Sequence, residues 1–315
     1  MRPMLAFEAT PNGLRLSERN RPSPGPGEVA IDVGAIALNR GESRRAVHGG
    51  FTEGFVPGWD TAGVISQVGV GARGLPIGTR VVARALSGGW AQCRIADCRD
   101  VAVIPADVDL GCAATLATAA TTALAVLTRG GPLLGRTVVI TGASGSVGQF
   151  AIQLARLGGA RVSAVTRSEG DRELLVSLGA HDVFTDLGNV KGADLVIETL
   201  GGPSLVQAAG LLDAGGSLQS LGWSAGQDAV FANFDHLMKT GGTIQGFAIG
   251  ERHVGVLLTQ LLGLLQRGSL KTCIQMRQPW ETLPAAAAAV LQSGFRGKAV
   301  LDVTGFAHAA PWPLP

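Results

Sequence analysis

The sequence contains no tyrosine, which excludes any mechanism in which a phenol serves as the proton donor.

Charged residues make up 16% of the 315 residues, the net charge is +2, and no block of like charges runs along the chain. Nucleic-acid-binding proteins carry clustered lysine and arginine, so we expect no nucleic-acid partner. Hydrophobic residues reach 46%, which is enough to form a sizeable core.

Cysteine is scarce and unpaired in sequence. The four cysteines contain no Cys-x-x-Cys pair and are interpreted as free thiols of a reducing compartment; they are Cys93, Cys98, Cys112 and Cys273. The N-terminal "MRPMLAFEAT" lacks a long apolar core, so we expect no signal peptide. Together these features predict a cytoplasmic protein.

Long hydrophobic runs are also missing. The most membrane-like stretch is "CAATLATAATTALAVL", residues 112–127, which is short for a bilayer span and rich in Ala and Thr. We interpret it as a buried helix and expect no membrane partner.

From Thr137 onward, apolar runs alternate with helical patterns. "TVVI" (137–140) is continuously apolar, as is typical of a parallel strand covered on both faces. Five further strand-like segments follow, at residues 161–166, 182–184, 193–200, 217–222 and 243–249. This alternation predicts a doubly wound parallel sheet, the dinucleotide-binding Rossmann architecture.

The first 110 or so residues have a different character. "EVAIDVGAIAL", "TAGVISQVGV" and "TRVVARAL" are strand-like segments punctuated by Gly and Pro, which predicts a mostly β domain. The tail holds a predicted helix in "PAAAAAVLQSG" and a predicted strand in "KAVLDV". We therefore expect an α/β protein with a β domain at residues 1–115 and 265–315 and a nucleotide domain at residues 116–264.

"TGASGSVG" lies between a predicted strand and a predicted helix. Ala143 stands where the first glycine of G-x-G-x-x-G would be, Gly145 keeps a side chain away from the pyrophosphate, and Gly148 allows close packing of helix on strand. We expect the amides of Ser146 and Val147 to face the anion. The alternative is a plain glycine turn between strand and helix.

The next strand ends in "VTRSEGD", with Thr166, Arg167 and Ser168 at its tip. A carboxylate at this tip would favour NAD, whereas Arg167 can pair with a 2'-phosphate, so NADPH is the expected cofactor. Glu169 and Asp171 follow shortly after, so NADH stays open as the less favoured cofactor. Arg167 as a plain surface arginine is the other alternative.

Several segments together resemble one superfamily: "PGPGEVAIDVGAIALNRGE", "VPGWDTAGVI", "IGTRVVA", "GASGSVGQFAIQLARLGGARV", "ADLVIETLGG" and "FRGKAVLDV". They are similar to the medium-chain dehydrogenase/reductases, and within them to the zinc-free quinone oxidoreductase-like branch. The short-chain dehydrogenase fold fits less well, because position 146 is Ser and the chain has no tyrosine.

The resemblance implies a GroES-like β domain joined to a Rossmann domain, with NADPH in the cleft between them. It implies hydride transfer to a small-molecule quinone or enone, and a homodimer. Zinc-dependent relatives place a Cys in the first segment and Gly-His-Glu in the second. The corresponding stretches here read "LNRGE" and "GWDT", with Trp59 in place of the histidine, so we expect no zinc.

The resemblance also implies site residues. The catalytic candidates are Asn39 near the nicotinamide, Asp60 beneath the site and Thr122 facing the cofactor. Their alternatives are a turn asparagine, a capping carboxylate and a buried helix threonine. Further cofactor candidates are Leu221, Phe247, Ala248 and Lys298, where a solvated lysine is the alternative for the last. Cleft candidates are Arg40, Trp59 and Trp223, for which a solvated face or plain packing is the alternative.

Two other functions stay open at this point. One is a dedicated biosynthetic enzyme of the same fold that reduces or rearranges one specific intermediate. The other is a non-catalytic NADP-binding protein. Without tyrosine, solvent or a hydroxyl such as that of Thr122 is expected to deliver the proton.

Overall fold

The computed structural model describes residues 3–72, 74–250, 253–303 and 305. The chain divides into two compact units. The first comprises the described residues of Met1–Thr121 and Glu251–Pro315, and the second comprises Thr122–Gly250.

The strands and helices are numbered in chain order. The strands are β1 (Pro3–Thr10), β2 (Gly13–Asn20), β3 (Glu28–Leu38), β4 (Asp60–Val68), β5 (Arg80–Arg84), β6 (Cys93–Asp97), β7 (Val101–Val103), β8 (Thr137–Ile140), β9 (Arg161–Val165), β10 (Asp182–Phe184), β11 (Ala193–Glu198), β12 (Leu212–Ser220), β13 (Thr243–Gly246), β14 (Ile274–Pro279) and β15 (Lys298–Asp302). The α-helices are α1 (Arg40–Val47), α2 (Leu110–Ala114), α3 (Thr121–Arg129), α4 (Ser146–Leu157), α5 (Arg172–Ser177), α6 (Gly202–Ala209), α7 (Asp235–Thr240), α8 (Gly255–Gln266) and α9 (Leu283–Leu291).

The first unit is built on a seven-stranded sheet in which β3 is the central strand. Its order is β14-β15-β3-β4-β5-β7, and β6 also pairs with β3. β3 is apolar and almost entirely buried, so it can be covered on both faces. The tail returns to this sheet, as expected, because β15 pairs antiparallel with β3.

The second unit holds a six-stranded sheet of order β10-β9-β8-β11-β12-β13. All five pairings are parallel, which confirms the predicted doubly wound sheet. The strand order reverses between β8 and β11, and ligands of such sheets bind outside the carboxyl ends of the strands at that point. Two predicted boundaries were wrong: β12 already begins at Leu212, and β13 ends at Gly246 rather than at Ile249.

The Ala- and Thr-rich stretch forms a continuous helical run, Leu110–Arg129, of 20 residues. It contains α2, a π-helical turn over Leu116–Ala120, and α3. The run is long and apolar enough to cross a membrane by length and composition, so the argument from short length was wrong. The prediction of a buried helix is confirmed, because 78% of its most apolar window is buried.

The four cysteines are free thiols, as predicted from their spacing. Cys93 and Cys273 are buried, and burial raises the pKa of the Cys273 thiol to about 12. The thiol therefore remains protonated at neutral pH and is a poor nucleophile.

Candidate active site

The strand register of the first unit brings three polar residues to one place. Ala37 near the end of β3 lies opposite Asp60, the first residue of β4. Leu38 lies opposite Ala299, the residue after Lys298 in β15. Asn39 directly follows β3, so the register alone places Asn39, Asp60 and Lys298 side by side.

These three side chains form a buried hydrogen-bonded network. Lys298 Nζ lies 2.8 Å from Asn39 Oδ1 and 3.0 Å from Asp60 Oδ2. The side chains of Lys298 and Asp60 are both 0% exposed. A charge removed from water in this way needs a partner, and here each charge provides it for the other.

The amide of Asn39 has a single consistent orientation. Its Nδ2 donates to Asp60 Oδ2 at 2.8 Å and to Glu42 Oε1 at 3.1 Å, while its Oδ1 accepts from Lys298. The opposite orientation would direct an oxygen at two carboxylates and an NH₂ group at an ammonium. The network therefore holds the Asn39 amide between two carboxylates and one ammonium group.

Glu42 is the second carboxylate of the network. It is fully buried at the third position of α1, and its Oε1 accepts the backbone N–H of Asn39 at 2.9 Å, as in a capping box. Its Oε2 accepts the backbone N–H of Trp59 at 2.8 Å. Burial and the charge of Asp60 raise the pKa of Glu42 from 4.5 to about 8, against the lowering effect of Asn39 and Lys298.

Two buried arginines add positive charge beside Asp60. Arg84 Nε donates to Thr118 Oγ1 at 3.2 Å, and that hydroxyl donates to Asp60 Oδ1. Arg94 donates to Trp59 O at 2.9 Å and to Thr61 Oγ1 at 3.1 Å. Burial lowers the pKa of Arg94 to about 10, which leaves it charged at neutral pH.

Asn39, Asp60 and Lys298 were predicted as site residues, and the structure brings them together. The alternative of a solvated lysine is wrong, because Lys298 is 1% exposed. Asn39 is also the N-cap residue of α1, so its structural role and the proposed catalytic one coexist. The sequence analysis missed four members, namely Glu42, Arg84, Arg94 and Thr118. For Glu42 the spacing of three residues after Asn39 was an available capping-box signal.

Trp59 and Arg40 lie beside the network. Trp59 is partly exposed, and its ring covers Gly41, where a Cβ atom would lie 3.0 Å from the ring. Arg40 is exposed and donates to Val290 O at 3.2 Å. Neither contact by itself assigns a substrate role.

The donor set does not fit the zinc centre of the zinc-dependent enzymes. Trp59 stands at the histidine position, and an indole N–H has no lone pair to bind a metal. Both oxygens of Asp60 accept hydrogen bonds within the network. Within the described residues, no group of three or more His, Cys, Asp or Glu side chains could hold a metal ion.

The second unit carries the glycine loop between β8 and α4. The tight turn falls at Gly142, with φ of 57°, directly before Ala143, which stands at the position of the first motif glycine. A Cβ atom on Gly148 would lie 2.7 Å from backbone atoms of Gly142 and Ala143, so α4 packs as closely as predicted. The loop geometry therefore fits the pyrophosphate of a dinucleotide.

The start of α4 presents amides at this loop. The first helical bond of α4 runs from Gln149 N to Gly145 O at 2.9 Å. The amides of Ser146 and Val147 precede this bond, and both residues are partly exposed. Amides at such a position attract an anion together with the helix dipole.

At the tip of β9, Thr166 is buried and donates its hydroxyl to the buried carboxylate of Asp171. Arg167 and Ser168 are exposed. Glu169 forms an ion pair with Arg172. Glu169 and Asp171, the two carboxylates for which NADH remained an alternative cofactor, are thus both bonded to other residues of the protein.

The remaining predicted residues of this unit lie near the carboxyl ends of the strands. Leu221 and Phe247 follow β12 and β13, and their N–H groups donate to Glu198 O and Ser220 O, each at 2.8 Å. Ala248 is exposed. Trp223 is 55% exposed, and its indole Nε1 donates to Gln227 O at 2.8 Å. Thr122 is 8% exposed, at the start of α3.

Two protein-family models match this chain, one mainly in each structural unit. The family model "Alcohol dehydrogenase GroES-like domain" matches residues 25–128, and "Zinc-binding dehydrogenase" matches residues 146–262. The predicted pair of a GroES-like and a Rossmann domain is thereby confirmed.

Individual relatives span different shares of the chain. Quinone oxidoreductase of Rattus norvegicus is 31% identical over 242 residues, which are 70% of this chain and 73% of that protein. A mycocerosic acid synthase-like polyketide synthase of Mycobacterium tuberculosis is 32% identical over 66% of this chain, but the match spans 11% of that protein. The structure of a thermostable alcohol dehydrogenase from Pyrobaculum aerophilum has a TM-score of 0.84 and 25% identity, covering 96% of this chain and 100% of the other.

Replacement of Lys298 by Met is expected to destabilise the protein by about 3–5 kcal/mol, because it leaves buried carboxylates without their cation. Loss of the Lys298 charge raises the pKa of Glu42 further. A raised pKa in the folded state stabilises at low pH, and this contribution is lost as pH rises through the folded-state value. The destabilisation should therefore be larger at pH 9 than at pH 6, as measured by urea unfolding.

Lys191→Met, at an exposed position, is the matched control and should change stability little at either pH. An equal loss for both variants, or no pH dependence for Lys298→Met, would contradict the buried network.

Proposed function

This chain belongs to the medium-chain dehydrogenase/reductase superfamily, in its quinone oxidoreductase-like branch, and we propose that it is an NADPH-dependent, metal-free reductase of quinones or α,β-unsaturated carbonyls. The observation that carries this proposal is the donor set at Trp59 and Asp60, where an ion-paired network stands in place of metal ligands. Simple alcohol oxidation in this superfamily relies on a metal to stabilise the alkoxide. A conjugated carbonyl is already electrophilic and needs no such activation.

We propose that the loop of the second unit holds the cofactor. Gly145, Ser146, Val147 and Gly148 would receive the pyrophosphate, since their amides and close packing suit an anion. When bound, the nicotinamide ring supplies the hydride equivalent. Leu221, Phe247 and Ala248 at the strand ends are the proposed contacts of the rest of the cofactor.

NADPH is proposed over NADH because of the tip of β9. Arg167 and Ser168 are exposed there and can meet a 2'-phosphate. Asp171 is buried against Thr166, and Glu169 is paired with Arg172, so neither carboxylate extends freely toward ribose hydroxyls.

The chain's own contribution to the reaction is orientation and charge. Reduction of a conjugated carbonyl builds negative charge on its oxygen, and preorganised donors stabilise such charge. Asn39 is 7% exposed and belongs to a cluster with two carboxylates and three cations, namely Lys298, Arg84 and Arg94. We propose that Asn39 orients the nicotinamide and that Asp60 and Lys298 hold the Asn39 side chain in place. Solvent or the hydroxyl of Thr122 is the proposed proton source.

A dedicated biosynthetic reductase on the same fold is the second candidate. The similarity to a segment of a polyketide synthase-like protein favours it, because that relative's name describes an acid-building enzyme. A non-catalytic NADP-binding protein is kept as an outcome of the test below. The cytoplasmic location and the lack of nucleic-acid and membrane partners stay predictions from composition.

We expect the purified protein to oxidise NADPH in the presence of a quinone or an enone, as followed by absorbance at 340 nm. A panel of quinones, enones, enoyl thioesters and, in the reverse direction, saturated alcohols with NADP⁺ separates the candidates. Turnover of enoyl thioesters alone would favour the biosynthetic enzyme. NADPH binding without any turnover would favour the non-catalytic protein, and alcohol oxidation as the fastest reaction would contradict the proposal.

Arg167→Ala is expected to raise the Kd for NADPH about tenfold and to leave the Kd for NADH unchanged, since a charge-assisted hydrogen bond contributes about 1.5–3 kcal/mol. Fluorescence titration with both nucleotides measures this difference. Arg161→Ala is the matched control, because Arg161 lies at the other end of β9 and pairs with Asp182. Equal weakening for both nucleotides would refute a 2'-phosphate contact.

We also propose a homodimer formed through the second unit. β13 is an edge strand of its sheet, and the segment before it exposes Val230, Phe234 and Met238 by 77%, 54% and 75%. Contiguous exposed apolar patches mark association surfaces, and we propose that these three side chains, within nine residues of sequence, form one. Light scattering should show a dimer that Met238→Asp converts to a monomer, whereas Val176→Asp, half-exposed on α5, leaves it intact. A monomeric wild-type protein would contradict this assembly.

A further inference from the structure

We infer that Glu42 is a positioning residue of the proposed reaction, whose ionised carboxylate holds Asn39 and the backbone of Trp59 in one arrangement. The inference rests on the proposed function and gives a role to Glu42, the last residue of the quoted segment "LNRGE", to which the family resemblance assigned none. It concerns how the orienting amide is held in place.

The geometry shows one carboxylate bridging two separate segments. Glu42 Oε1 accepts from Asn39 N at 2.9 Å and from Asn39 Nδ2 at 3.1 Å. Glu42 Oε2 accepts from Trp59 N at 2.8 Å. The start of α1 and the residue before β4 are thus fixed to each other through a single side chain.

A plain helix cap does not require this arrangement. In a capping box, a Glu or a Gln accepts the N-cap N–H with one oxygen, and the second group is free to face water. Here the second oxygen also accepts an N–H group, and the residue is 0% exposed. A neutral Gln would present an NH₂ donor to one of these N–H groups, and a protonated Glu would present an O–H donor.

The charges that face Glu42 come from four strands. Asp60 of β4 lies against it as a like charge, while Lys298 of β15, Arg84 of β5 and Arg94 of β6 are the cations. The cations favour the ionised carboxylate, whereas burial and Asp60 favour the protonated form. The balance places the pKa of Glu42 at about 8, within the range of an ordinary assay.

The sign of the expected pH dependence follows from the geometry. The ionised form accepts all three N–H groups, so the ordered arrangement forms above the pKa of Glu42. The value of kcat should therefore rise with pH through about 8 and level off above it. Because Glu42 is bonded to Asn39 and Trp59, and the proposed pyrophosphate contacts are the amides of the glycine loop, we expect NADPH affinity not to follow this titration.

The test compares wild-type protein with Glu42→Gln and with Glu53→Gln, an exposed glutamate of the same unit, as the matched control. We expect Glu42→Gln to lower kcat about tenfold, to change the Kd for NADPH less than twofold, and to lose the acid limb of the kcat profile between pH 6 and 9.5. Hydrogen exchange at the amides of Asn39 and Trp59 should be faster than in wild type at the same pH. Glu53→Gln should match wild type in all four measurements.

Glu42→Asp keeps the test decisive if Glu42→Gln does not fold. It keeps the charge on a side chain one methylene shorter, so kcat should fall while the acid limb is retained. An unchanged acid limb in Glu42→Gln, or unchanged exchange at both amides, would overturn the inference. A wild-type protein with no turnover on any quinone, enone or thioester would refute the proposed function instead, and the exchange at Asn39 and Trp59 would still decide whether Glu42 holds these segments.

Discussion

The buried pair of Asp60 and Lys298 is the interaction on which the first unit depends. Asp60 begins β4 and is fully excluded from water, so its charge needs a cation within the fold. That cation comes from the far end of the chain, because β15 pairs with β3 and its first residue is Lys298. The return of the tail therefore completes the sheet and the polar network in one step.

The same pair explains the arrangement of its neighbours. Asn39 lies between the two charges with one amide orientation, and Glu42 joins Asn39 to Trp59. The π-helical turn over Leu116–Ala120 brings the hydroxyl of Thr118 to Asp60. π-Turns inside helices are often found at functional sites, since they reposition side chains that a regular helix would direct elsewhere.

Local patterns were sufficient to predict the second unit. Its strands are continuous apolar runs, and its glycine loop follows one of them, so periodicity and a short motif identified the sheet correctly. The tight turn at Gly142 was not predicted, because a positive φ is a property of the backbone that the motif pattern does not specify. The end of β13 was also missed, since the apolar pattern continues through Ile249 after the strand has ended at Gly246.

The first unit was harder to predict because its site is made by long-range pairing. Family motifs named Asn39, Asp60 and Lys298, but a lysine in a short polar segment gives no local sign of burial. Arg84 and Arg94 lie in strands whose neighbours are apolar, and an arginine in such a strand is equally consistent with a surface position. Burial of all three cations follows from the strand register, which no single segment specifies.

We propose that an ion-paired network, and no metal, stands in place of the zinc ligands. The metal content of fully active protein tests this proposal, measured by plasma mass spectrometry after purification without chelator and again after incubation with equimolar zinc and removal of unbound zinc by gel filtration. We expect far less than one zinc per chain in both samples, with turnover unchanged by a chelator. One tightly held zinc per chain, with turnover lost on chelation, would contradict it.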